Sequence, residues 1–225
     1  MEKQESHIPR FCLVEMTSVA TMAKELRDNP CMATLKLQIT GEEEADKLLS
    51  TNPLALLLGM VLDQQVTMEW AFRGPLELSQ RMGGDLRAST IAAMDPERLA
   101  TLFSERPALH RYPGSMAARC QAVCAVVSEE YSDDPATIWS QAADSADLYH
   151  RIKSLPGFGE MKAKIFIALL GKQVGLPIKD WEAVCAPYGE RGVYRSVADI
   201  VDQKSLEKVR AAKQAAKRKA KQGKA

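Results

Sequence analysis

Apolar residues recur every three or four positions along most of this chain, and this spacing predicts α-helices. The longest such stretch, Leu54 to Phe72, predicts one long and mostly buried helix, with Asn52 as its cap and Pro53 in its first turn. We expect Gly74-Pro75 to end that helix. No stretch has the alternation of a strand ladder, so the predicted fold class is all-α. A helix capped by Thr40 is predicted to reach about residue 49, and another is predicted to run from the Gly74-Pro75 break to residue 81. Further helices are predicted over 91–103, 116–131, 148–154 and 161–171, in short segments around Trp139 and after Asp180, and from 196 onward.

Between two of the predicted helices lies the turn Leu155-Pro156-Gly157-Phe158-Gly159. Its glycines permit positive φ and bring bare backbone close to a ligand, and Phe158 is expected to anchor the turn in the core. The free N–H groups at the start of the next helix suit an anionic oxygen, and Lys162 and Lys164 add positive charge there. The turn therefore predicts a phosphate-binding hairpin. The alternative is a simple joint between two antiparallel helices.

This pentapeptide resembles the Leu-Pro-Gly-x-Gly hairpin of the helix-hairpin-helix (HhH-GPD) superfamily of base-excision DNA glycosylases, which includes endonuclease III. Gln64-Gln65-Val66-Thr67 is similar to the glutamine-rich helix end that probes the DNA stack, with Gln65 in the place of the intercalating glutamine. Tyr112 to Arg119 is similar to a third segment of the family. The resemblance covers roughly residues 50 to 200 and implies a two-lobed helical fold that binds double-stranded DNA. Alternatively, Gln65 is only a polar residue at a helix surface.

The resemblance also implies a catalytic carboxylate. In the family an Asp a little over twenty residues beyond the hairpin glycine stabilises the cationic sugar left as the base departs, or orients a water. Asp180, 23 residues after Gly157, stands in the matching place. The family's Val-Asp-Thr-His context is replaced by Lys179-Asp180-Trp181-Glu182, so Asp180 is also suited to be only a helix N-cap. We expect Lys179 to pair with it, and Glu182 is the fallback carboxylate.

Two further expectations follow from comparison with the family. Its bifunctional members carry a Schiff-base lysine two residues after the second hairpin glycine, where this chain has Met161. Lys162 is turned by about 100° from that position and is expected to point elsewhere, which predicts a monofunctional enzyme. Only Cys185 follows Cys124, so no iron–sulfur cluster is expected. The resemblance also implies a monovalent cation held by backbone carbonyls of the hairpin, and we predict no other cofactor or metal.

Cysteines and charge refine this interpretation. Five scattered cysteines indicate reduced thiols, and Cys120 and Cys124, four residues apart, are either half of a metal site or core residues.

The net charge of +1 conceals a basic C-terminus, because Lys204 to Ala225 hold nine basic residues and one acid, leaving 21 basic and 28 acidic residues elsewhere. This tail is either a nucleic-acid ligand or a solvated segment. Six basic residues are expected to line one face: Arg111, Arg119, Lys153, Lys162, Lys164 and Lys172.

The chain is thus divided into an N-terminal extension (1–32), a glycosylase-like domain (33–203) and a basic tail (204–225). Three functions are compatible with this organisation: a monofunctional DNA glycosylase, a catalytically inactive helix-hairpin-helix DNA-binding protein, and a helical protein-interaction module.

The longest apolar run, 53–62, is far shorter than the roughly 20 residues that cross a bilayer. We therefore expect a cytoplasmic monomer with no membrane partner. Five aromatic residues are candidates either to stack on a flipped base or to fill the core: Trp70, Phe72, Trp139, Trp181 and Tyr188.

Overall fold

A computed structural model describes residues 36–222, apart from the side chains of residues 217 and 219–222. Every regular element in this part of the chain is helical and no strand occurs in it, which confirms the all-α class. The predicted extension, 1–32, lies outside the described residues. The helices are α1 Glu43–Thr51, α2 Pro53–Leu62, α3 Met68–Arg81, α4 Ala88–Ala92, α5 Pro96–Ser104, α6 Pro113–Glu130, α7 Thr137–Ser140, α8 Ser145–Ser154, α9 Glu160–Leu169 followed by a π-helical turn Leu170–Val174, α10 Trp181–Val184, a 3-10 turn Val197–Asp199, and α11 Gln203–Gln222.

The start of α2 confirms the predicted cap. The side-chain oxygen of Asn52 accepts hydrogen bonds from the backbone N–H of Leu54 at 2.9 Å and of Ala55 at 3.2 Å, and Pro53 takes the first helical position. Every other residue of α2 is buried, so this helix lies in the centre of the core. The cap expected at Thr40 is wrong, because α1 begins after Glu42 and the Asp46 carboxylate instead accepts the N–H of Thr40 at 2.8 Å.

The long helix predicted from Leu54 to Phe72 is wrong, because the chain turns between α2 and α3. Asp63 leaves the helical region with ψ 72°, and Gln65 takes a positive φ of 60°. Thr67 then caps α3, its hydroxyl accepting from the N–H of Trp70 at 3.4 Å. We call residues 63–67 the glutamine turn. It places both Gln64 and Gln65 at the surface. A continuous helix would instead have pointed these two neighbours in different directions around its axis.

The break predicted at Gly74-Pro75 is also wrong, since both residues lie inside α3. Proline in a helix interior costs about 3 kcal/mol because it lacks an N–H and crowds the preceding turn. Both residues are buried in the packing between α2 and α3. The Leu62 side chain occupies the space that a Cβ at Gly74 would need. This packing outweighs the local preference for a helix end.

The longest helix of the predicted glycosylase-like domain, α6, packs against α4, α5 and α2 through a buried face that includes Cys120, Val123, Cys124 and Val127. This placement favours the interpretation of Cys120 and Cys124 as core residues. Burial raises the pKa of the Cys120 thiol to about 12. Cys12 and Cys31 lie outside the described residues.

The C-terminal segment is not solvated along its whole length. The helix α11 buries Leu206 and Val209, and its Arg210 forms an ion pair with Glu69 of α3 at 2.6 Å. The first two turns of the basic tail are therefore part of the folded body. Between residues 36 and 222 no single helix is long and apolar enough to cross a membrane, and only the bent pair α1 and α2, at 115°, reaches that length and composition together.

Candidate nucleic-acid interface and cleft

The hairpin and the glutamine turn face each other across a cleft of about 480 Å³. Its walls come from three separate parts of the chain: the end of α2 with the glutamine turn, Arg119 of α6, and the hairpin with the first turns of α9. The volume is in the range of small-molecule sites in proteins. The cleft is lined by Met60, Asp63, Gln64, Arg119, Gly157, Phe158, Gly159, Met161, Lys162 and Ile165.

The hairpin has the form that the sequence predicts. Leu155 and Phe158 are buried and anchor it, and the N–H of Phe158 donates to the Leu155 carbonyl at 3.0 Å to close the turn. Gly157 takes a φ of +81°, which favours glycine. Gly159 caps α9 without a side chain, and the first N–H groups of a helix have no intrahelical acceptor. The exposed end of α9 at Glu160 and Met161 therefore offers N–H donors to an anion.

Arg119 joins the two sides of the cleft. Its guanidinium donates to the side-chain oxygen of Gln64 at 2.6 Å, and the stem of the same side chain lies against Gly157. A Cβ at Gly157 would collide with that stem. Arg119 thus brings a positive charge to the hairpin and holds Gln64 in place. The sequence identified Arg119 as one of six basic residues and as the end of the third family-like segment, but it did not predict the contact with Gln64.

The buried ring of His110 fixes the backbone of the glutamine turn. Its Nδ1 accepts the N–H of Tyr112 at 3.0 Å, so the proton of the neutral ring is on Nε2, which donates to the Gln64 carbonyl at 2.6 Å. The turn is therefore held at both its main chain and its side chain. Nothing in the sequence pattern links positions 46 residues apart, and this contact was not predicted.

We expected Lys162 to point elsewhere because of its position on the helix, but its side chain lines the cleft. Its Nζ donates to the Val61 carbonyl at 2.8 Å and lies 6.0 Å from the centre of the Phe158 ring. The four-carbon stem spans the 100° offset, so Lys162 lines the cleft together with Met161. Burial lowers the pKa of Lys162, and the nearby carboxylate of Asp63 partly opposes that effect.

Asp63 is the functional candidate that sequence reasoning missed. Its side chain is 14% exposed, lines the cleft, and has one carboxylate oxygen 3.9 Å from Nζ of Lys213 in α11. As the residue directly before Gln64-Gln65 it was assigned to the interior of a long helix. Prediction of a helix end at Leu62 would have identified this candidate, because a chain that turns at Asp63 exposes the carboxylate at the end of the helix.

Asp180 lies elsewhere on the surface. It is exposed, has a φ of +57°, and is absent from the residues that line the cleft. It directly precedes α10, yet its side chain accepts no capping hydrogen bond from that helix. Among the described residues neither Asp180 nor Lys179 forms an ion pair, and Glu182 is exposed outside the cleft lining as well. The catalytic role of Asp180 stays a prediction.

The other predicted basic and aromatic residues are divided between surface and interior. Lys172 is not on the predicted exposed basic face, since its amine forms an internal ion pair with the buried Asp199 at 2.6 Å. Lys164 pairs with Glu160 at 2.7 Å at the start of α9. Tyr112, 47% exposed and stacked under Arg111, is the exposed aromatic near the glutamine turn. Phe72, Trp139 and Trp181 are buried in the core, and Trp70 and Tyr188 are half-buried outside the cleft lining.

No protein-family model, curated protein or solved structure matches this chain. Within residues 36–222 no group of three or more metal-ligating side chains is placed to hold a metal ion. Function is therefore inferred from the hairpin, the glutamine turn and the cleft between them.

Proposed function

We propose that this protein is a monofunctional DNA glycosylase with the two-lobed fold of the HhH-GPD type, which hydrolyses the N-glycosidic bond of a damaged or mismatched base in double-stranded DNA. The observation that carries the proposal is the position of the hairpin. Its exposed N–H donors lie at the edge of a nucleoside-sized cleft that also contains a carboxylate, Asp63.

The hairpin supports backbone binding that is independent of base sequence. A phosphate at the start of α9 would accept from the free N–H groups there and would lie near the Arg119 guanidinium. Such contacts position a protein on DNA but do not select a base. The basic residues beyond Ala216 in α11 add long-range attraction that falls steeply with salt.

The cleft and the glutamine turn support base excision. When a phosphate is held at the hairpin, the sugar attached to it lies only a few bonds away, at the mouth of the cleft that the hairpin lines. A nucleotide rotated out of the duplex would enter this space, while Gln65, at the tip of the glutamine turn, fills the gap left in the stack. The rigidity given to this turn by His110 and Arg119 suits an element that is pushed between bases.

We propose that the reaction stops at base release. Met161 stands where the family has its Schiff-base lysine, and the Lys162 amine is committed to the Val61 carbonyl as part of the cleft wall. The hairpin carbonyls are the proposed ligands of a monovalent cation, and no iron–sulfur cluster is proposed.

The test is base release from duplexes carrying uracil, alkylated, oxidised or mismatched bases. We expect one class of duplex to yield free base, with strand cleavage only after alkali. Borohydride added during the reaction should trap no protein–DNA adduct. An adduct that disappears in Lys162→Met would show that Lys162 is a nucleophile and that the enzyme is bifunctional.

A second candidate is a catalytically inactive DNA-binding protein of the same fold. The observation that favours it is the position of Asp180 outside the cleft lining. Tight duplex binding without release from any lesion would establish this function, whereas absence of duplex binding would leave a protein-interaction module.

A further inference from the structure

The carboxylate that faces the cleft belongs to Asp63 and not to Asp180. We propose that Asp63, on the glutamine turn, is the catalytic carboxylate of this protein, orienting the attacking water and stabilising the positive charge on the sugar. This inference rests on the proposed glycosylase function and names the residue that performs it.

The position of Asp63 follows from the end of α2. The helix ends at Leu62, the N–H of Asp63 donates to the Gly59 carbonyl at 3.0 Å, and the change in ψ turns the side chain out of the helical path. The core position of α2 leaves little freedom to the residue that follows it. The carboxylate is thus held on the wall of the cleft opposite the hairpin, where the scissile nucleotide is proposed to lie.

The surroundings of Asp63 suit a reacting group. Among the described residues its carboxylate accepts no hydrogen bond, and its ion-pair contact is the 3.9 Å approach of Lys213. Its side chain is 14% exposed, so water reaches it while most of the bulk solvent is excluded. A charge in such a site acts on a developing cation more strongly than a charge at an open surface does.

The step balances with water as the co-reactant. The bond between C1′ and the base nitrogen breaks and its electron pair leaves with the base. The oxygen of water forms a new bond to C1′, and its proton passes to the Asp63 carboxylate. That proton is then returned to solvent, and the base takes up a proton from solvent as it departs. The products are a free base and an abasic deoxyribose, with Asp63 regenerated.

The experiment compares Asp63→Asn, Asp180→Asn and Lys213→Ala in single-turnover base release at saturating protein, using the duplex found by the lesion panel. We expect Asp63→Asn to slow release by about 100-fold or more. Its affinity for a duplex with a tetrahydrofuran abasic analogue should stay within about threefold. Asp180→Asn should release base at nearly the rate of the unsubstituted protein. Lys213→Ala removes the cation that approaches Asp63 at 3.9 Å but keeps the carboxylate, so it should change the rate less than about threefold.

Asp63→Glu guards against an effect on folding, because it keeps the charge and displaces it by one methylene. We expect about tenfold slower release with an unchanged urea midpoint. Normal release by Asp63→Asn together with loss in Asp180→Asn would overturn the assignment to Asp63 and leave the proposed function standing. No release from any duplex by the intact protein would overturn both.

Discussion

Arg119 and Gln64, 55 residues apart in sequence, are joined by a hydrogen bond of 2.6 Å across the mouth of the cleft. The bond links α6 to the glutamine turn, and the Arg119 stem lies against Gly157 of the hairpin. The hairpin and the glutamine turn are therefore held in register by one side chain.

Arg119→Lys should weaken duplex binding about tenfold, because an ammonium replaces the planar guanidinium that reaches Gln64 beside the hairpin. Fluorescence anisotropy of a labelled duplex at fixed salt measures the change. Arg98→Lys, an exposed position on α5, is the control for loss of a guanidinium and should bind normally. Normal binding by Arg119→Lys would mean that Arg119 acts only through its positive charge, and equal loss in both variants would mean that the contact with Gln64 has no specific part in binding.

Two glycines of the hairpin should respond differently to alanine. Gly157→Ala is strained at φ +81° and collides with Arg119, so it should lower the free energy of unfolding by about 1–3 kcal/mol. A Cβ at Gly159 meets no atom within 4 Å, so Gly159→Ala should cost within about 1 kcal/mol, as expected at an N-cap.

Gly159→Ala should nevertheless weaken duplex binding, because its methyl group stands where a phosphate approaches the N–H groups of α9. Urea unfolding and anisotropy on the same variants separate the two effects. Gly114→Ala, with open space around its Cβ at the start of α6, serves as the control for both. Normal binding by Gly159→Ala would indicate that the hairpin is only a joint.

The buried thiol of Cys120 should make stability fall at alkaline pH. Burial raises its pKa from the ordinary 9.0 to about 12, so above pH 9 the unfolded chain loses this proton first. The contribution is fully present below pH 9.0 and is lost as pH rises toward about 12. One such thiol steepens the loss by about 1.4 kcal/mol per pH unit. Urea unfolding under reducing conditions between about pH 8 and 10 should give a shallower slope for Cys120→Ala; parallel slopes would contradict this origin.

The helix α11 should be divided into a structural part and a dispensable part. Val209 is fully buried, so Val209→Ala should lower the free energy of unfolding by about 1–3 kcal/mol. Deleting residues 217–225 should change it by no more than about 0.5 kcal/mol, yet should reduce the salt dependence of duplex binding because five positive charges are lost. A deletion as destabilising as Val209→Ala would show that the end of the helix is also part of the fold.

Local patterns predicted the elements whose signals lie within a few residues. The Asn52 cap, the Pro53 start and the anchoring of the hairpin by Phe158 all depend on neighbours in sequence, and the structure has them as predicted. The same reasoning failed at Gly74-Pro75, where packing of α3 on α2 overrode a strong local breaker.

The sequence by itself determined the helical class, the hairpin and the separation of an acidic body from a basic C-terminus, because periodicity, turn chemistry and charge are properties of neighbouring residues. Tertiary structure decided which side chains share the cleft. Asp63, Arg119 and Lys162 meet there because buried helices bring distant positions together, and no spacing along the chain encodes that meeting. Asp180 shows the converse, since a matching distance in sequence did not place its carboxylate among the residues of the cleft.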